Sequence, residues 1–347
     1  MGDAYEGMAP LKFFVQRVLA AGLNLFLGIN LIFIILRLAP LSSVELRLQQ
    51  AYQVGILRYP EEAERLRSSW LSFYGLEGDL WLHYIEMWRR LFTFDFGPSL
   101  VSFPTPVSVL ILRALPWTIG LLSLSIFVSW LIGTLMGIFS GSMSSRGLSK
   151  LLLGLSSVLY PIPYYLFGLV LIFLFAYLVP IFPLGGGVSV VPPHLTGDLL
   201  HNLALILNIL HHASLPALSL IIPSSLGWFF LSAYSATRVK VTEDHVIFTR
   251  LMGVRESEIR RRHLWGEVSL AQITLLTLYM SQILGGALIT EILFAYPGLG
   301  YLIYRAIAVF DYNLLAAVAL LSCFVVTLSV FILDLLTPVI DPRVRHS

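Results

Sequence analysis

The sequence predicts an all-α integral membrane protein with six transmembrane helices and both termini in the cytoplasm. Three observations predict it. Of 347 residues, 57% are hydrophobic and only 12% charged, about half the charge fraction of a soluble domain. Six apolar stretches are long enough to cross a hydrocarbon layer about 30 Å thick. The Lys and Arg residues concentrate in alternate connecting segments. The net charge of +2 gives no reason to expect a nucleic-acid partner. Cys323 is the single cysteine, which excludes an intrachain disulfide and a cysteine-based metal cluster. The first apolar run is too long for a cleavable leader and lacks a small-residue cleavage site after it, so a retained anchor is expected.

The first predicted span runs from Val18 to Leu36, between Arg17 and Arg37. The second covers Trp117–Phe139. The third lies in the uncharged stretch Leu151–Thr196 and is best placed at Tyr164–Ile181, with Pro161 and Pro163 kinking its entry. The fourth covers Leu215–Tyr234, the fifth Ser269–Thr290 and the sixth Leu314–Leu333. None has a charge at its middle, where Asp, Lys or Arg would cost about 2.5–3.5 kcal/mol. Lys12 and Arg17 precede the first span, Arg146 and Lys150 follow the second, and Arg343 and Arg345 follow the sixth. Arg238, Lys240, Arg250, Arg255 and Arg260–Arg262 crowd the fourth–fifth loop. The positive-inside rule puts these segments in the cytoplasm. The long segment Leu38–Leu115 then falls outside. Within it, Glu61–Tyr74 and Leu80–Leu91 read as short helices over the mouth of the bundle. The second is amphipathic, with Trp81, Tyr84 and Trp88 at helical spacing. The chain thus divides into an N-terminal span with its extracytoplasmic segment (1–115) and a five-helix core (116–347).

The fourth–fifth loop (242–266) is polar, of mixed sign and flanked by spans. Val246, Phe248, Leu251 and Met252 are apolar among charges, and Gly253 stands where a left-handed turn would end one short helix before the next. A solvated hairpin fits this pattern. So does a docking element, an amphipathic helix presenting apolar knobs to a soluble partner. Glu291, at the outer end of the fifth span, reads either as a capping or interfacial carboxylate or as a gate at the pore mouth. Asp334 and Asp341 read as partners of nearby arginines. His201, His211 and His212 are placed on the outer loop without a third ligand at metal spacing, so no metal is expected. Gly133, Gly137 and Gly141 form a small-residue stripe for close helix approach. No nucleophile–base pair and no phosphate-cradling Gly-Lys-Ser/Thr loop occurs, so neither enzymatic activity nor a bound nucleotide is expected of this chain.

The stretch Asp244–His263 resembles the cytoplasmic loop of ABC-importer permeases of the peptide/opine/nickel branch. That branch has an Arg three residues before the loop glycine and a His ten after it, which Arg250, Gly253 and His263 match. Further resemblances lie in Leu36–Pro40, Asp95-Phe96-Gly97 with Ser99, Pro106-Val107 and Leu215-Pro216-Ala217. They continue through Gly285-Gly286, Glu291 and Phe294 with Pro297-Gly298-Leu299-Gly300, Asp311-Tyr312 and Asp341-Pro342-Arg343. The order and spacing over the whole chain are similar to the permease type with a long outer loop after the first span. Departures are Phe248, Thr249 and Leu251 at small-residue positions, Met252 for a usual Lys, and Glu267 and Ala271 for a usual Asn and Pro.

The resemblance implies a type I importer fold in the cell membrane and a pathway for a small solute. Peptides come first, with oligosaccharide and nickel as the other classes. It implies three kinds of partner beyond the bilayer itself: a second permease chain, two ATP-binding-cassette ATPases that hold the ATP, and an extracytoplasmic solute-binding protein. It implies that Val246, Phe248, Thr249, Arg250, Gly253, Glu256 and His263 belong to the ATPase-docking loop. Glu291, Pro297 and Gly298 are the candidate pathway or gate residues. The rival reading is a secondary transporter without an ATPase. That rival predicts ionisable groups at mid-membrane, which the spans lack.

Overall fold

The computed structural model describes residues 3–53, 59–73, 80–143, 146–188, 199–281 and 288–340. Among them every regular element is helical; Pro98 and Pro106 form only an isolated bridge. The chain divides into two compact units, residues 1–114 with 302–347, and residues 115–301.

In the first unit, α1 (Asp3–Gln53) continues well past the predicted exit at Leu36, through Pro40, instead of breaking there. It packs along α14 (Tyr312–Ile340). Gly28 makes this approach close, because a Cβ there would overlap the Cys323 sulfur. The two short helices predicted between the first and second spans form near their predicted bounds, as α2 (Pro60–Phe73) and α3 (Leu80–Thr93). Trp88 of α3 stacks on Phe26, and Tyr84 meets Phe33 edge-on at 5.4 Å. Thus α3 lies along the flank of the first apolar stretch, where Tyr84 and Trp88 are partly covered while Trp81 stays exposed. The head of α14 is capped by Asp311, which is fully buried. Its carboxylate accepts from the amides of Leu100 (2.6 Å), Val101 (3.1 Å) and Leu314 (3.1 Å) and from the Ser99 hydroxyl. Two motif fragments more than 200 residues apart are thereby one hydrogen-bonded joint.

The second unit begins within α4 (Val107–Ser142). Gly133, Gly137 and Gly141 lie on the π-turn 224–229 and on α8 (Phe230–Lys240). A Cβ on Gly137 would stand 2.6 Å from the Ala233 Cβ, and one on Gly141 would stand 2.8 Å from the Thr237 Cβ. The stripe is a packing seam, as its spacing predicts. Helix α5 (Arg146–Leu159) precedes a break at Tyr160–Pro163, and α6 (Tyr164–Ile172) continues in a π-turn to Leu178. The two halves meet at 98°, so Pro161 and Pro163 do break the entry to the third span.

The fourth span is longer than predicted. Helix α7 (Leu199–Pro223), the π-turn and α8 run on continuously, so the apolar stretch extends over Asn202–Lys240. Pro216 is internal and His211 and His212 are helical residues, not loop residues; nothing polar enough to end a helix stands between Leu199 and Leu215. Trp265–Ser281 (α11) and Leu288–Leu293 (α12) carry the flanks of the fifth predicted span. Its residues 282–287, with Gly285-Gly286, lie outside the described set, as do Asp341–Arg343 and the Asp334 side chain. Among the described residues, four helices are long and apolar enough to cross a membrane, or five if the bent pair counts as one.

Candidate functional site

The 242–266 loop folds as two short helices around a glycine turn. Helix α9 covers Asp244–Leu251 and α10 covers Glu256–Ile259, followed by a π-turn to Leu264 that leads into α11. Gly253 has φ +80°, with its amide bonded to Arg250 O at 3.0 Å. In this left-handed region a Cβ costs about 1–2 kcal/mol, which is why a glycine serves here. Arg250 straps the turn shut by a two-point ion pair to Glu256, Nε–Oε1 2.6 Å and Nη2–Oε2 3.3 Å.

The two faces of α9 differ. Val246 is fully buried in a cluster with Ile138 of α4, Ala233 of α8, Ile259, Leu264 and Val268. Phe248, Leu251 and Met252 point away, 64%, 81% and 68% exposed. Three large apolar side chains on one short helix are an anomaly for a finished surface. Val246 is therefore the root of the helix and Phe248, Leu251 and Met252 are its free knobs. Thr249 bonds back to His245 O at 2.7 Å, and His263 lies beside His245 with ring centroids 6.1 Å apart.

The base of α9 is held by a cluster the sequence reading did not assemble. Lys240 Nζ stands 2.7 Å from Glu243 and 2.8 Å from Glu267, and His245 Nε2 stands 3.1 Å from Glu267. The Lys240 ammonium holds the Glu267 carboxyl below its ordinary range. Glu243, His245 and Glu267 could in principle hold a divalent ion. Here the Lys240 ammonium sits between the two carboxylates and supplies the positive charge that an ion would bring. Glu267 was legible as a departure from the family pattern; that it answers Lys240 was not, since 27 residues separate them.

The second candidate region lies at the other end of α11–α12. Glu291 is 1% exposed. Its carboxylate accepts from Thr118 Oγ1 (2.7 Å), Gly300 N (2.6 Å) and Tyr301 N (3.4 Å). It caps α13 (Leu299–Ala308), and Thr118 Oγ1 in turn accepts from Leu299 N at 2.8 Å. Gly298 is needed beneath it, since a Cβ there would overlap the carboxylate. Pro297 faces Gly187, where a Cβ would come within 2.6 Å of the ring, and Gly186 N bonds Phe294 O at 2.8 Å. The segment after the third span is thereby laid over this turn. Thr118 carries no sequence signal: a lone threonine in an apolar run looks like any other.

Residues 133–346 match the family described as "binding-protein-dependent transport system inner membrane component". The oligopeptide transport system permease protein AppB of Bacillus subtilis is 26% identical over 340 residues, 96% of this chain and 99% of the relative. The dipeptide transport system permease protein DppB of Lactococcus lactis is 23% identical over the same shares. The probable D,D-dipeptide transport system permease protein DdpB of Escherichia coli is 29% identical over 282 residues, 79% of this chain and 82% of that one.

Proposed function

Because the chain belongs to the family of binding-protein-dependent transport system inner membrane components, we propose that it lines a peptide pathway driven by partner ATPases. It is a multi-pass permease subunit of an ABC importer. Peptide as cargo is supported by the three relatives, whose names specify oligopeptide, dipeptide and D,D-dipeptide. In this reading the chain crosses the membrane six times with both termini inside. The core is 116–347, and the 242–266 loop docks to one of two ATPases. A second permease chain completes the pathway and an extracytoplasmic binding protein delivers the cargo.

The observation that carries the reading is the division of α9 into a buried root and three exposed knobs. Phe248, Leu251 and Met252 are the groups an ATPase groove would desolvate. Val246, rooted among side chains of α4, α8 and α11, turns a push on those knobs into movement of three helices at once. Reversing an inward/outward equilibrium from 1:99 to 99:1 takes about 5.5 kcal/mol of differential binding. A loosely hinged loop would dissipate that; the Arg250–Glu256 strap and the Lys240–Glu243–Glu267 cluster stiffen this one. ATP chemistry belongs to the partners, and this chain supplies the path and the lever.

Uptake of a labelled oligopeptide tests the reading, in cells deleted for this gene and complemented with the wild-type chain. Import should require the intact chain, its ATPases and its binding protein. ATP-independent uptake driven by a proton or sodium gradient would instead make it a secondary transporter.

A further inference from the structure

We infer that the junction of α4 with the loop leading into α11 is a binding site for one anionic phospholipid. A groove of about 590 Å³ opens there. Its apolar floor is Leu135, Ile138 and Phe139, and its far wall is Trp265, with Arg260 and Arg261 at the rim. Leu135 and Phe139 are exposed. They occupy the last two turns of an apolar stretch long enough to cross a membrane, so a chain of methylenes is the natural neighbour of this floor.

Most cations of the loop are answered by carboxylates; Arg255, which also lacks one among the described residues, does not line the groove. Arg250 is paired with Glu256, Arg262 with Glu258, and Lys240 with Glu243 and Glu267. Among the described residues Arg260 and Arg261 have no carboxylate partner. Arg260 rests instead on the Phe139 ring, 5.4 Å from its centroid, which holds the guanidinium at the boundary between floor and rim. Two uncompensated cations above an apolar trough, with an indole alongside, match a ligand having an anionic head and an acyl tail. A soluble peptide would need partners for its backbone, and the floor offers none. The assignment to the inner leaflet rests on the orientation proposed above; the binding itself does not.

Native mass spectrometry of the full-length chain, with any co-purifying subunits, tests this using added phosphatidylglycerol and phosphatidylcholine of equal chain length. The wild-type chain should retain one phosphatidylglycerol in preference to phosphatidylcholine. One cation beside an anionic lipid is worth about fivefold, so the Arg260→Gln/Arg261→Gln double variant should bind it roughly thirtyfold more weakly. The Lys/Lys double variant should keep most of the affinity. Leu135→Trp, which fills the trough and leaves both charges, should also lose the lipid. Equal retention of both lipids, or an unchanged affinity in the Gln/Gln variant, overturns the site. Displacement by inorganic phosphate would reduce it to an anion site and overturn the lipid assignment. A cross-link from Leu135→Cys, in a Cys323→Ser background, to the second permease would give the groove to that subunit and do the same. ATPase pull-down with Phe248→Asp reports separately on the docking loop, so failure of either idea leaves the other standing.

Discussion

The two ends of the α11–α12 stretch handle their chemistry in opposite ways. At the 242–266 loop, large apolar groups stay exposed, and Arg250, Arg262 and Lys240 pair with carboxylates beside them. At the 288–301 turn a carboxylate is buried, and one hydroxyl and two backbone amides donate to it. The first arrangement leaves Phe248, Leu251 and Met252 uncovered among the described residues, as the proposed docking requires. The second is complete in itself: Thr118, Gly300 and Tyr301 answer Glu291. The exposed apolar cluster is where the proposed contact with another molecule would form, whereas the buried and satisfied carboxylate is a brace. Glu291, which as sequence reads as a cap ahead of a gate, has the geometry of a cap.

The largest effect that would break this contrast is at Phe248. Phe248→Asp places an ion where a partner groove would desolvate it, while the fold, which roots on Val246, is untouched. Peptide uptake should fall to background and ATPase co-purification should be lost, with normal amounts of protein in the membrane. Full uptake by this variant would make the loop a mere connector.

Next come the packing and capping groups, which should act on stability and not on coupling. Gly137→Leu drives a side chain into Ala233 and the Phe230 carbonyl, which stand 2.6 and 2.8 Å from even a Cβ. Overpacking against a backbone typically costs about 1–3 kcal/mol or more, so the protein should accumulate severalfold less on a membrane immunoblot. Glu291→Ala leaves the buried Thr118 hydroxyl and Gly300 amide without their acceptor, at about 1–3 kcal/mol each. Its thermal midpoint in detergent should fall by roughly 10 °C, and Glu291→Gln should recover part of the loss. If Glu291→Ala kept wild-type stability but lost transport, the carboxylate would be a gate after all.

The smallest effect sharpens the comparison with an exposed carboxylate. Glu86 on α3 is hydrogen-bonded to Arg89 at 2.7 Å, and that bond, with help from Arg90, lowers its pKa from 4.5 to about 2. A depressed carboxyl contributes stability that is fully present above its unfolded pKa and is lost as pH falls through its folded one. The local order of α3, read from Trp88 fluorescence, should hold above about pH 4.5 and decline toward pH 2. Glu86→Gln should flatten that decline and change stability by under about 1 kcal/mol, as exposed pairs do.

Hydropathy located the apolar stretches, four-residue spacing the seam glycines and the lone loop glycine the turn, because each is a local property of composition or backbone freedom. Lengths were less legible. The helix that begins at Leu199 looks like loop up to Pro216 because His211, His212 and the proline resemble punctuation, yet the intervening residues carry no breaker. Helix α5 was hidden by its serines and glycines; its amphipathic face is apparent only once it has a neighbour. Inward and outward on α9 were not legible, since Val246 and Phe248 are both apolar and only tertiary neighbours distinguish root from knob. The same holds for Thr118 and for the pairing of Lys240 with Glu267: each needs a contact far away in sequence.

The glycine seam has an evolutionary consequence. At Gly133, Gly137 and Gly141 the space a side chain would need is already taken by the backbone and small residues of 225–237. No larger side chain at these three positions can be accommodated by rotamer adjustment alone. The Phe230 carbonyl and the Tyr234 amide stand within 2.9 Å of a Gly137 Cβ, and the Tyr234 carbonyl 3.0 Å from a Gly141 Cβ, so shrinkage at Ala233 or Thr237 would not by itself admit a side chain. In an alignment of descendants of this chain the three seam glycines should therefore stay fixed, while the exposed knobs of α9 vary with the partner surface proposed to cover them.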